Sequence, residues 1–269
     1  MNINLLAIDI AKNVFQLHGN DSNGKCVFKK RINRNTLAST IANMPKCTIV
    51  MESCGGSSFW HRKFTAMGHQ VKLIAPQYVK PFVKTNKNDA NDAEAIAEAA
   101  SRPNMRYVEP KTTEQQDIQT LHKIRSRLVG NKTQLANQIR GLLLEYGITI
   151  KQSHAALSES LPTIIEDTTN ELTPFTRLLV QELYDEFLEL IKKIKNYDAK
   201  VKQIAKSHES CQRLIEIEGI GELTATAIIA TIGSPNFFKN GRHFAAYLGL
   251  VPKQNSSGQK NQLLGISNL

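Results

Sequence analysis

Four carboxylates in this sequence stand where acids are either costly or paired. Asp9 sits near the end of an otherwise apolar run, Asn4–Ile10, and Glu52 ends another, Cys47–Glu52. An ionised acid on a buried strand is unfavourable unless something satisfies its charge. Asp89 and Asp92 lie three residues apart at the start of an alanine-rich, breaker-poor segment, so both project from one face of a first helical turn. If the strands share a sheet, the two strand ends and that turn can converge. Carboxylates gathered in one place raise each other's pKa unless cations intervene. Mg²⁺ suits them, being hard, bound by oxygen, and content to keep positions for water and phosphate oxygens. Two such ions roughly 3.5–4 Å apart can clamp the attacking and leaving oxygens of a phosphodiester. Each acid also has a purely structural explanation. Asp89 suits an N-cap, Asp92 a helix dipole, and Glu52 a solvated strand end before Ser53-Cys54-Gly55-Gly56.

Gly219-Ile220-Gly221 falls between two helical segments and has the form of the turn in a helix-hairpin-helix motif. Gly219 and Gly221 would let the backbone approach a phosphate, and the next helix offers unpaired N–H groups. Such a motif contacts backbone, not bases, and so predicts affinity without sequence preference. An ordinary glycine-containing turn between helices is the alternative. Asn255-Ser256-Ser257-Gly258-Gln259-Lys260 is polar and reads as a flexible loop, with Lys253 and Lys260 as cations for nucleic acid. A serine in a basic loop attacks phosphorus only if its proton is removed and the leaving oxygen stabilised. Composition alone makes this string no more than a loop.

The elements that must position these groups follow from the hydrophobic pattern. Asn4–Ile10, Val14–His18 and Lys25–Ile32 are extended stretches separated by turn residues, which predicts an antiparallel meander. A helix near Thr36–Asn43, a strand Cys47–Glu52, a helix near Ser58–Met67 and a strand Gln70–Ala75 then alternate. These later strands should join in parallel through crossovers, the pattern of a ribonuclease H-like fold. Residues 1–110 form this α/β domain, ending with the helix Asp89–Ala100. Residues 111–208 change to long polar helices. Leu121, Leu128, Leu135 and Leu142 recur every seven residues. Val180, Leu183, Phe187, Leu190, Ile194, Tyr197, Val201 and Ile204 alternate at spacings of three and four. That predicts a coiled-coil seam, packed either within one chain or across a dimer. Ser153–Thr173, with Pro162, reads as a linker or hairpin tip. Residues 209–269 are expected to form a small helical C-terminal domain.

Composition limits the partners. The 269 residues carry 34 Lys+Arg against 24 Asp+Glu, a formal charge of +10, which suits a polyanion such as DNA or RNA. Cys26, Cys47, Cys54 and Cys211 are scattered with no C-x-x-C pair, which argues against a zinc ribbon or redox dithiol. The N-terminus turns polar too soon for a signal peptide, and no apolar run reaches membrane-spanning length. A soluble, cytoplasmic protein with reduced thiols is expected.

Three segments together resemble one family. Ala7-Ile8-Asp9-Ile10-Ala11-Lys12, Met51-Glu52-Ser53-Cys54-Gly55 and Lys87-Asn88-Asp89-Ala90-Asn91-Asp92-Ala93 look like the pieces of a DEDD motif. Ile217–Gly221, Phe244–Pro252 and Ser256-Ser257-Gly258 resemble the second conserved domain of the same family. These are the insertion-sequence transposases of the IS110 family, with their IS1111 branch and the related pilin-gene invertases. The resemblance implies a Holliday-junction-resolvase-like catalytic domain with Asp9, Glu52, Asp89 and Asp92 as Mg²⁺ ligands. It places the nucleophilic serine, which precedes a glycine, on Ser257. It further implies homo-oligomeric assembly through the helical region and a structured guide RNA encoded by the element. Family members continue past Gly265-Ile266-Ser267-Asn268-Leu269 into further helices, so a shortened C-terminal domain with impaired recombination is expected. A metal-dependent resolvase without the serine step and an inert nucleic-acid-binding remnant are the competing expectations.

Overall fold

A strand that is apolar on both faces belongs where both faces are covered. Leu5–Ile10 (β1) is such a strand, and it takes a central place in a six-stranded sheet. With β2 (Val14–Asn20), β3 (Cys26–Asn33), β4 (Thr48–Glu52), β5 (Gln70–Ile74) and β6 (Tyr107–Val108), the order is β3-β2-β1-β4-β5-β6. The first three strands are an antiparallel meander, β1, β4 and β5 are parallel, and β6 returns antiparallel. This mixed sheet is consistent with the expected ribonuclease H-like domain. The computed structural model describes residues 2–84, 89–232, 238–257 and 260–266, and only the backbone of residues 89, 90, 253 and 261. The chain divides into two units, Met1–Thr112 with Gly233–Leu269, and Thr113–Ile232.

Alternation sorts the side chains of the sheet into two cores. Leu6, Ile8, Ile49, Met51 and Leu73 pack with Leu37 and Ile41 of α1 (Arg34–Ala42) and Trp60 and Phe64 of α2 (Ser57–Ala66). Ala7, Val50 and Ile74 belong to the other core, with Ala95, Ile96 and Ala99 of α4 (Asp89–Ala100). Small residues on both sides of this second core let α4 lie close to β1 and β4. A short helix, α3 (Pro76–Val79), and a 3-10 turn at Lys80–Phe82 follow β5. Near the C-terminus come α10 (Gly241–Tyr247) and a hairpin of β7 (Pro252–Ser257) and β8 (Lys260–Ile266). The hairpin corrects two expectations, since the Ser/Gly-rich stretch is paired strand around its tip and the C-terminal portion is not purely helical.

In the second unit α5 (Thr113–Leu144) and α7 (Pro174–Ser207) pack on each other. Leu128, Leu135, Ala136, Ile139 and Leu143 meet Val180, Phe187, Leu190 and Ile194, so the seam is covered within the chain. The heptad reading fails at the end of α5. Leu142 is 43% exposed while Leu143 is fully buried. A straight helix drifts about 20° per heptad, which carries Leu142 roughly 40° from Leu128 and away from the stripe of Ala136, Ile139 and Leu143. Leu143→Ala is therefore expected to cost roughly 2–5 kcal/mol and Leu142→Ala no more than about 0.5 kcal/mol. Urea unfolding of the two variants checks this; equal losses would contradict the register.

Ser153–Thr173 is a further correction, for His154–Glu166 forms α6 despite Pro162. The Ser153 hydroxyl caps it by accepting from the Ala156 N–H, and Leu157 and Leu161 are buried against α5 and α7. Proline at 162 leaves the carbonyl four residues earlier without its helical donor. That carbonyl, of Ser158, accepts instead from the Tyr184 hydroxyl at 3.1 Å. Arg177 and Asn170 then donate to the last carbonyls, at Ile164 and Ile165. Finally α8 (Glu209–Ile215) and α9 (Glu222–Thr231) are joined by a turn in which Gly219 takes a φ of +87°. Among the described residues no helix is long and apolar enough to cross a membrane.

Candidate active site

The two strand acids are brought together by register. β1 and β4 pair in parallel up to Ile8↔Met51, and Asp9 and Glu52 are the next residue on each strand. Both follow the period-two rule from Ala7 and Val50, so both face the α4 side of the sheet. Glu52 is fixed further by pairing with Ile74 and by the bond from the Ser53 N–H to the Ile74 carbonyl at 2.7 Å. The chain leaves this strand through Gly56, whose φ of +91° is open to glycine but strained for other residues. The Ser57 hydroxyl donates to the Cys54 carbonyl at the start of α2 and ties down that exit.

Asp92 comes from the third element. It stands four residues before Ile96 and seven before Ala99, on the face of α4 that is buried against the sheet. Asp9, Glu52 and Asp92 line a single cavity of about 670 Å³, together with Pro76, Gln77, Val79, Lys80 and Val83. Three of the four acids predicted from the sequence are thus neighbours of one concavity. Asp89 is the first residue of α4, and its side chain, like residues 85–88, lies outside the described residues. Gln77 and Lys80 are additions that the sequence did not announce, because a four-residue helix has no periodicity to detect.

The electrostatics are those of an acidic site short of positive charge. Burial, and then the Asp92 carboxylate, push the Glu52 carboxyl above its ordinary value. Burial also raises the Cys54 thiol, and the charges of Glu52 and Asp9 add to the rise. A divalent cation would reverse both effects, and the donors on offer are carboxylate oxygens, the kind Mg²⁺ takes. Among the described residues no three His, Cys, Asp or Glu side chains gather closely enough to hold a metal ion already. Lys80 contributes one cation among the residues lining the cavity.

The other predicted residues stand elsewhere. Ser257 is exposed at the end of β7, paired with Lys260 at the start of β8, and is not among the residues lining the cavity. The neighbouring Ser256 hydroxyl accepts from Gln254 at 2.7 Å. Gly258 and the side chain of Lys253 lie outside the described residues. Gly219 and Gly221 flank the turn before α9, with open space where either would carry a Cβ. In that unit Cys211 and Ala225 pack with Ala205, so the turn rests on its own small core.

Known proteins are similar to this chain in sequence. Residues 6–148 match a family described as transposase, of the DEDD IS110 type, and residues 211–268 match the transposase IS116/IS110/IS902 family. The transposase for insertion sequence element IS1111A of Coxiella burnetii is 48% identical over 265 residues, covering 98% of this chain and 73% of the relative. The transposase for insertion sequence element IS1328 of Yersinia enterocolitica is 40% identical, with 99% of this chain and 79% of the relative covered. The pilin gene-inverting protein of Moraxella lacunata is 22% identical over 97% of this chain and 77% of its own length.

Proposed function

Since the chain belongs to the IS110 family of DEDD transposases, and is an enzyme acting on DNA in insertion-sequence transposition, we propose that it cuts and rejoins strands through its carboxylate cavity and Ser257. The observation that supports this most is the shared cavity of Asp9, Glu52 and Asp92, three acids delivered by three separate elements. Those residues, with Asp89, would hold Mg²⁺. When bound, Mg²⁺ supplies positive charge to the phosphate and favours its attack. Lys80 adds a fixed cation for the strand. Ser257 forms the new bond: its Oγ joins phosphorus, the P–O bond to the departing strand breaks, and the serine proton ends on that strand's hydroxyl. Rejoining runs the same exchange backwards onto a second strand, so no energy source is required.

Lys192, Lys193, Lys195, Lys200, Lys202 and Lys206 make the C-terminal half of α7 strongly basic, which suits a structured guide RNA. Phe175 and Leu178, 69% and 56% exposed, suit assembly into a homo-oligomer. Gly219, Gly221, Lys253 and Lys260 would add contacts to nucleic-acid backbone. One observation favours a metal-dependent resolvase without the serine step, namely that Ser257 does not line the cavity. The test of the main reading is incubation of the chain with duplex DNA carrying its element's ends, with Mg²⁺ or with EDTA. Strand cleavage confined to the Mg²⁺ samples is expected. Cleavage in excess EDTA, or none with either addition, would count against it.

A further inference from the structure

Beside the carboxylate cavity lies a smaller groove of about 180 Å³. Gln16, Leu17 and His18 of β2, Lys29, Lys30 and Arg31 of β3, and Ala93 of α4 line it. Its relation to the acids is fixed by register. Asp9 pairs with Gln16 and Gln16 with Arg31, one row across three strands, while Ala7, His18 and Lys29 form the next row. Residues directly opposed on antiparallel strands project from the same face. Gln16 and Arg31 therefore share the face of Asp9, and two strand spacings put the Arg31 backbone roughly 10 Å from that of Asp9. Ala93 is the residue after Asp92, so α4 borders both concavities.

The groove is lined by donors, some already paired and some not. Lys84 and Lys29 donate to Glu94 and hold its carboxyl at about 2, which anchors Lys29 over α4. Lys30 and Arg31 have no carboxylate partner among the described residues. His18 is only 5% exposed, and its Nδ1 and the nearby Asn20 Oδ1 form no well-aligned hydrogen bond. The free Arg31 guanidinium and the Gln16 amide on one face, with the Lys29 ammonium in the next row, together suit a tetrahedral oxyanion.

We propose that this groove binds a phosphate of the DNA strand whose scissile bond lies in the carboxylate cavity, with Arg31 and Gln16 as positioning residues. The inference rests on the cavity being the site of strand cleavage. Phosphates of one strand rise about 3.4 Å along the duplex axis but wind around it, which puts neighbours roughly 6–7 Å apart in space, so a span of roughly 10 Å places the bound phosphate one or two nucleotides from the bond cut. Lysines on α7 favour RNA for that helix, whereas adjacency to the acids favours DNA here.

The test measures binding of labelled duplex DNA and of RNA by fluorescence anisotropy across a salt series. The proteins are the unmodified chain, Arg31→Ala, Arg31→Lys and, as a control, Lys25→Ala. Losing one phosphate contact should lower the slope of log affinity against log salt by about 0.9, or about eightfold in DNA affinity at 0.1 M salt. Arg31→Lys should recover the slope, and Lys25→Ala should keep both values. Arg31 is exposed, so the melting temperature should not move in its variants. Unchanged DNA affinity and slope in Arg31→Ala, with the unmodified chain still cutting DNA, would overturn the groove and leave the function standing. Loss confined to RNA, or loss of inorganic phosphate binding with DNA binding intact, would overturn it equally. A chain that neither binds nor cuts DNA would remove both.

Discussion

Asp9→Asn is expected to abolish Mg²⁺-dependent strand cleavage while leaving the fold in place. The amide keeps the shape of the side chain at the end of β1, so the apolar residues before it, Leu6, Ala7 and Ile8, keep their packing. What it removes is one negative oxygen donor from a cavity whose acids already repel each other. Loss of about 4 kcal/mol of transition-state stabilisation corresponds to roughly a 10³-fold fall in rate, well within what a correctly held metal ion contributes. Asp92→Asn should behave alike, with a further signature. The Asp92 charge helps raise the Glu52 carboxyl, so its removal should bring Glu52 back toward the ordinary range. The metal-free variant should then be no less stable than the unmodified chain, because a repulsion has gone. Cleavage assays, metal titration and thermal melts of both variants check this. Full activity in either, or in the presence of excess EDTA, would defeat the assignment of these acids.

Much of this site was legible in the sequence because burial leaves a mark on composition. Asp9 and Glu52 interrupt or end runs that are otherwise apolar, and the meander and crossovers follow from turn residues and period. The strand boundaries move by only a residue or two. What stayed hidden depends on register or on a partner distant in sequence. The row Asp9, Gln16, Arg31 exists only once three strands are aligned. Pro162 argues against a helix unless Tyr184, 22 residues later, is known to satisfy the carbonyl it exposes. Leu142 and Leu143 are indistinguishable by type, and only the accumulated drift of a straight helix decides which is buried. The polar string around Ser257 lacks the apolar alternation that announces a strand, yet it pairs with Lys260–Ile266.

Ser257→Ala is expected to eliminate a covalent protein–DNA adduct, and Ser256→Ala to retain it. The expectation draws on the serine-glycine position shared with the resembled family and on the exposed place of Ser257 at the hairpin tip. Ser256 is a poorer candidate, since its oxygen accepts from Gln254. A serine hydroxyl is a weak nucleophile unless activated, so Ser257 must reach a phosphate whose charge Mg²⁺ held by the carboxylates would offset. Productive geometry has to be held within roughly 0.5 Å, and the cavity lining excludes Ser257. The adduct should therefore need DNA and Mg²⁺ together, and should vanish in Asp9→Asn as completely as in Ser257→Ala. DNA nicked near one strand end, which lets the departing fragment diffuse away, would trap the intermediate for electrophoresis and peptide mapping. An adduct mapped to another residue would remove Ser257 from the chemistry. Cleavage that proceeds at full rate in Ser257→Ala, with no adduct in any sample, would leave the carboxylates as a resolvase acting with water.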